Sequence, residues 1–163
     1  MVEVLLGLGS NIDRERNIRA GLKALAGEFG RLRVSRVFES VAVGFDGDNF
    51  YNLVVAIHTA LPVGQLALRL RGIEDANGRL RAGPKFSART LDIDILIYGD
   101  LTGTVDGVKL PRAEIEKNAF VLQPLAELAP DWVHPLTGKS FAQMWAEYDK
   151  TKQKLWPVAF DWP

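Results

Sequence analysis

The sequence contains no cysteine, which removes disulfides, thiolate nucleophiles, zinc knuckles and iron–sulfur clusters together. Histidine is scarce: His58 and His134 are the only two, too far apart for a metal-binding spacing, and each reads as a structural or surface residue. No run approaches the roughly 18 consecutive apolar residues of a transmembrane helix, and no basic stretch leads into an apolar one at the N-terminus. A cytoplasmic protein with no membrane partner is the expectation. An excess of charge is missing too, since 20 basic residues balance 20 acidic ones. No global field therefore draws nucleic acid, and any anion must be bound locally. Glycine-rich nucleotide signatures are also absent. Gly7-Leu8-Gly9-Ser10-Asn11-Ile12 follows a strand-like run, but Ile12 stands where a dinucleotide fingerprint needs a third small residue, and no Gly-Lys-Ser/Thr makes a P-loop.

What is present is an ordinary globular composition. With 47% apolar and 25% charged residues over 163 positions, the chain has material for one domain, taken as residues 1–163 with a Trp- and Pro-rich tail at 150–163. Neither an internal repeat nor a long linker suggests a second.

The most informative stretch runs from Arg89 to Tyr98, Arg-Thr-Leu-Asp-Ile-Asp-Ile-Leu-Ile-Tyr. Its β-branched and large apolar residues, closed by Gly99-Asp100, read as a buried strand ending in a turn. Asp92 and Asp94 then share one face about 7 Å apart, while Leu91, Ile93 and Ile95 face a core. Two ionised carboxylates at that distance repel by about 2 kcal/mol at an effective dielectric near 20. One reading is an acidic edge beside a solvated basic loop. The other is a site for Mg²⁺, which takes carboxylates, water and substrate phosphates, with Arg79, Arg81, Lys85 and Arg89 upstream to hold the anion.

The remaining elements follow from periodicity. Val2–Leu8 reads as a strand closed by Gly7 and Gly9, and Ile18, Leu22, Leu25 and Phe29 mark one face of a helix that Gly27 and Gly30 end. Residues 31–40 alternate imperfectly and suggest one half-exposed strand. Phe50–Ala60 is apolar on both faces, which suits a central strand; Asn52 within it is either exposed at the strand start or buried with partners. Val63, Leu66, Leu70 and Ile73 define a second helix. The order strand, helix, strand, strand, helix, strand predicts an α+β fold, a ferredoxin-like βαββαβ sandwich with an antiparallel sheet. Extra C-terminal helices are expected from Asn118 to Leu128 and around Phe141, Met144, Trp145 and Tyr148. Trp156 and Trp162 either pack on the domain or meet a partner.

Three separated stretches together resemble the 6-hydroxymethyl-7,8-dihydropterin pyrophosphokinases: Gly7-Leu8-Gly9-Ser10-Asn11, Arg89-Thr90-Leu91-Asp92-Ile93-Asp94-Ile95-Leu96, and Asn118-Ala119-Phe120-Val121-Leu122-Gln123-Pro124-Leu125 with Glu127-Leu128-Ala129-Pro130. Phe50-Tyr51-Asn52-Leu53 adds a fourth. The resemblance implies a monomer that moves a pyrophosphoryl group from ATP to a pterin alcohol in folate biosynthesis, with two Mg²⁺ ions on Asp92 and Asp94. It implies ATP contacts from Glu74, Arg79, Arg81, Arg89, Ile95 and Arg112, with Arg79, Arg89 and Asp94 closest to the chemistry. It implies a pterin pocket of Ser40, Val43, Phe50, Asn52, Phe86 and Phe120, where Asn52 reads the ring edge and Phe120 stacks on its face.

Four places in the chain depart from the family's usual pattern. Phe86-Ser87-Ala88 replaces Trp-Gly-Pro, Arg112 a histidine, Asn118 an arginine and Ser40-Val41 a Thr-Pro. A paralogue using another pterin, as in a methanopterin-type pathway, would show such a pattern. A non-catalytic ferredoxin-like ligand-binding module is the alternative from another class, although it has no need of paired acids on an inner strand.

Overall fold

A computed structural model describes residues 1–41, 47–78 and 90–162. Its larger sheet is antiparallel and six-stranded, in the order β5 (Asp92–Tyr98), β1 (Val2–Ser10), β4 (Phe50–Thr59), β3 (Val37–Ser40), β8 (Leu155–Val158), with β2 (Arg33–Val34) also pairing β4. Helices α1 (Arg14–Phe29) and α2 (Val63–Ala76) cover one face. The other face is covered by α3 (Glu114–Lys117), α4 (Ala119–Leu128) and α5 (Phe141–Glu147).

Alternation along the strands builds both cores. Val4, Leu6 and Leu8 of β1, Leu53, Val55 and Ile57 of β4, and Ile93 and Ile95 of β5 pack with Ile18, Leu22, Leu25, Leu66 and Leu70. On the opposite face Leu5, Val54, Ala56, Leu96 and Ile97 meet Ile115, Leu122, Leu125, Phe141 and Met144. The central place expected for β4 is what its apolar residues on both faces produce. The helix over Ile18, Leu22 and Leu25 and the one over Val63, Leu66, Leu70 and Ile73 also form with those residues buried.

Several boundaries differ from the sequence reading. β1 runs on through Gly7 and Gly9 to Ser10, because both glycines stay paired with β4 and β5. The chain turns at Asp13, whose φ of 44° lies in the left-handed region that aspartate tolerates. Asn17 Nδ2 and Ser10 Oγ both donate to the Ile12 carbonyl, at 2.6 and 3.0 Å, and hold this turn in place of a side-chain cap. Gly27 sits inside α1, and Gly30 alone marks its end, with its N–H on the Ala26 carbonyl at 2.9 Å. Residues 103–110 form a hairpin, β6 (Gly103–Val105) and β7 (Val108–Leu110), turning at Asp106 and Gly107, both at positive φ.

His134 is structural. It is 1% exposed, its Nδ1 accepts the Leu136 and Thr137 N–H groups, and its ring meets Phe141 edge-on at 6.3 Å. Burial holds its pKa below the usual histidine value.

The tail docks on the rest of the chain. β8 pairs with β3 in the register Val37–Val158 to Ser40–Leu155. Arg19 lies over the Phe160 ring at 4.5 Å and donates to the Asp161 carbonyl, and Val158, Phe160 and Trp162 pack against the core.

The single strand expected at 31–40 is broken at Ser35-Arg36. Ser35 bridges the break: its N–H donates to the Val54 carbonyl at 2.9 Å, its Oγ accepts the Val54 N–H at 2.9 Å, and the hydroxyl proton goes to the Arg36 carbonyl. Ser35→Ala leaves the buried Val54 N–H unmatched and is expected to lower stability by about 1–3 kcal/mol, read as a shift in urea midpoint at constant m-value.

Candidate active site

Asp92 and Asp94 owe their common direction to the β5 alternation, which sends Ile93 and Ile95 into the opposite core. Across the ladder Asp92 stands opposite Gly9 and Asp94 opposite Gly7, while β4 places Asn52 on the far side of Gly9. These residues share one face, since paired positions point the same way. Neither glycine carries a side chain between the acids and Asn52; the Leu96 side chain lies over Gly7, where an added Cβ would come 3.3 Å from its Cδ1. A Cβ on Gly9 would lie 2.9 Å from Oδ1 of Asn52.

The neighbourhood of Asp94 perturbs its titration. Burial and the neighbouring Asp92 push the Asp94 pKa up to about 8, against the opposing pull of Arg112. Arg112 Nη2 lies 3.6 Å from Asp94 Oδ1, and its Nε lies 3.1 Å from Glu114 Oε2. The Arg112 N–H donates to the Leu96 carbonyl at 2.9 Å, at the irregularity where β5 slips its register against β1. That bond fixes the cation beside the acid pair. Sequence reasoning missed Glu114, for which the spacing held no signal.

The residues expected to contact pterin are partly brought together. Nδ2 of Asn52 donates to the Oγ of buried Ser40 at 3.3 Å, and Phe50 pairs with Ser40 across β3 and β4. Asn52 is thus half-buried and partnered. Phe120 is half-buried in the first turn of α4, the helix over this same face. Val43 and Phe86 lie outside the described residues, as do Arg79, Arg81 and Arg89.

Glu74 and Ile95, expected as nucleotide contacts, are both buried. Glu74 is 5% exposed on α2, and its Oε2 accepts the Ile93 N–H at 2.7 Å, bracing the strand that carries the acid pair. The Ile95 side chain is buried on the α1/α2 face, away from Asp94.

Among the described residues no group of three or more His, Cys, Asp or Glu side chains forms a metal cage. Two carboxylates on one face suit a hard cation that completes its shell with water and phosphate oxygens.

Residues 5–130 match the family model for 7,8-dihydro-6-hydroxymethylpterin-pyrophosphokinase. The chain belongs to that family. A 2-amino-4-hydroxy-6-hydroxymethyldihydropteridine pyrophosphokinase of Synechocystis sp. is 36% identical over 159 residues, covering 95% of this chain and 80% of that protein. The pyrophosphokinase of the same name from Pseudomonas aeruginosa is 38% identical over 132 residues, covering 78% of this chain and 81% of its own length. The fold of this pyrophosphokinase-family chain is similar to the Plasmodium falciparum HPPK-DHPS crystal structure, with a TM-score of 0.70 at 15% identity over 91% of this chain. It spans 44% of that longer chain.

The raised Asp94 pKa has a consequence for the metal-free protein. A carboxyl that prefers its protonated form in the fold supports stability below its unfolded value near 4, and that support is lost as pH rises through about 8. The side chain keeps 30% of its exposure, so the loss is scaled to on the order of 1–3 kcal/mol. Asp94→Asn is expected to gain that much at pH 8 in chelator and almost nothing at pH 4, checked by denaturant titration at both values.

Proposed function

We propose that the protein transfers the pyrophosphoryl group of ATP to the hydroxymethyl oxygen of 6-hydroxymethyl-7,8-dihydropterin, releasing AMP and the pterin diphosphate. The observation that carries the proposal is the pair Asp92 and Asp94, with the Asp94 pKa raised beside Asp92, on the same sheet face as Asn52 in a chain of this family. We take residues 1–163 as one catalytic unit on a ferredoxin-like core, supported by the strand order β5, β1, β4, β3 and by the docked tail. A monomer in the cytoplasm is part of the same reading.

In this reading the pterin edge meets Asn52. Its Nδ2 is engaged by Ser40, and its Oδ1, which lies over Gly9, accepts a ring N–H. Phe120 stacks on the ring face, which holds the hydroxymethyl group toward the acids. Ser40, Phe50, Val43 and Phe86 complete the pocket.

Two Mg²⁺ ions, held by Asp92 and Asp94, would neutralise phosphate charge and orient the β-phosphorus for in-line attack. Arg112, already beside Asp94, turns toward the triphosphate. Arg79, Arg81 and Arg89 supply further cations, their planar forks matching phosphate oxygens in pairs. The pterin oxygen forms its bond to the β-phosphorus as the bond to the α–β bridging oxygen breaks. AMP leaves with that oxygen, and the hydroxyl proton passes to Asp94 or to solvent.

Glu74 acts on the nucleotide through β5, by holding Ile93, and Ile95 through its backbone. Asn118, where the family usually has arginine, puts no cation near α4 and favours a second reading: a related pterin alcohol as the preferred substrate.

Phosphorus NMR with MgATP and 6-hydroxymethyl-7,8-dihydropterin tests the reaction. AMP and pterin diphosphate in equal amounts are expected, and Asp92→Asn or Asp94→Asn should slow turnover about 100-fold or more. Turnover and Mg²⁺ dependence that survive the double change would remove the acid pair from the mechanism. Gly9→Ala, which crowds Oδ1 of Asn52, should raise the pterin KM about tenfold while the ATP KM holds; equal effects on both substrates would argue against the pterin edge at Asn52.

A further inference from the structure

The segment between α5 and β8 sends two side chains onto the residues that lead into α4. Gln153 donates from Nε2 to Oδ1 of Asn118 at 2.8 Å and accepts the Ala119 N–H on Oε1, also at 2.8 Å. Tyr148 donates its hydroxyl proton to the Lys117 carbonyl at 2.6 Å, and Trp145 stacks against Tyr148 at 5.7 Å. Asn118 makes no side-chain cap bond to its own helix. A helix start ordinarily satisfies its free N–H groups with a neighbouring side chain. Here one of them is satisfied from the far end of the chain.

The residue after the bonded Ala119 N–H is Phe120. Its side chain leaves the backbone one residue beyond the grip, so the orientation of that turn sets the orientation of the ring. We propose that Gln153 is a positioning residue for the pterin pocket, holding Asn118 and Ala119 together so that Phe120 is presented to the substrate. The inference rests on the pterin role given to Phe120 above. It makes the tail a determinant of pterin affinity, with no part in the phosphoryl step.

A carboxamide suits this task because it offers one donor and one acceptor side by side. A carboxylate at 153 can still accept the Ala119 N–H, and Asn118 can turn its Nδ2 toward it. An isobutyl group at 153 can do neither.

The test uses the full chain with Gln153→Leu and Gln153→Glu, and reads kcat, the KM for each substrate, and amide hydrogen exchange at residues 119–121. Gln153→Leu is expected to raise the pterin KM about 5- to 10-fold, to leave kcat and the ATP KM within about twofold, and to speed exchange at Ala119. Gln153→Glu should stay near wild type on all of them. Asn118→Ala, which loses one bond and keeps the other, should fall between, and decides the matter if leucine at 153 impairs folding. An unchanged pterin KM with faster exchange would make the contact purely structural and overturn the proposal. An equal rise in both KM values would overturn it too, as general damage. Wild-type protein that forms no pterin diphosphate overturns the reading of the reaction and the pterin role with it. Wild-type turnover with unaltered Gln153→Leu kinetics overturns the role of Gln153 alone.

Discussion

The burial of Asp94 beside a second carboxyl, Asp92, is the constraint on which the site depends. A strand that places two acids on one face disfavours the second negative charge, and the fold fixes them there from several sides. Ile93 and Ile95 lock the opposite face of β5 into the core. Glu74 secures the Ile93 N–H from α2. Arg112 is tied to the Leu96 carbonyl and offsets only part of the negative charge. A structural strand could relieve the residual imbalance with a single lysine, and β5 carries none.

Beside the acids stand two residues with no side chain. Gly7 and Gly9 continue β1 as a paired strand rather than a turn, and their missing side chains make room for Leu96 and for Oδ1 of Asn52. This explains why the family's Gly-Leu-Gly-Ser-Asn stretch reads like a phosphate loop and is none. Ser10, Asn11 and Asn17 instead secure the chain where it leaves the sheet, Asn11 reaching the Asp48 carbonyl at 3.2 Å. Through Arg14, which pairs with Glu39 at 3.1 Å and reaches the Asn49 carbonyl, the same corner holds both sides of residues 41–49.

Strong periodicity made most of the scaffold legible in advance. Ile18, Leu22 and Leu25 and the Val63 to Ile73 series marked their helices, and the two apolar faces of β4 marked the sheet centre. Short elements were harder, because their pairing is decided by distant residues. Nothing local in 31–40 signals that Ser35 will take over a ladder bond, and Leu155–Val158 becomes a strand only because β3 offers an edge. The β6–β7 hairpin went unread, although Asp106-Gly107 between two valines is a known hairpin signal. Of the site, the common direction of Asp92 and Asp94 followed from strand alternation, whereas the Asn52–Ser40 hydrogen bond had no signal in the sequence. Nor did the bracing role of Glu74 have one, because a buried carboxylate bonded to a backbone N–H looks in sequence like any helical glutamate.

Sheet edges are where soluble proteins risk joining other strands. Both edges here are dulled by residues already met for other reasons. On one side the Ile93 N–H is occupied by Glu74, and the strand slips its register at Leu96. On the other, Pro157 in the middle of β8 has no N–H to offer. The tail that completes the sheet therefore also closes it to recruitment, and a chain lacking β8 would expose Val37–Ser40 as a template for aggregation.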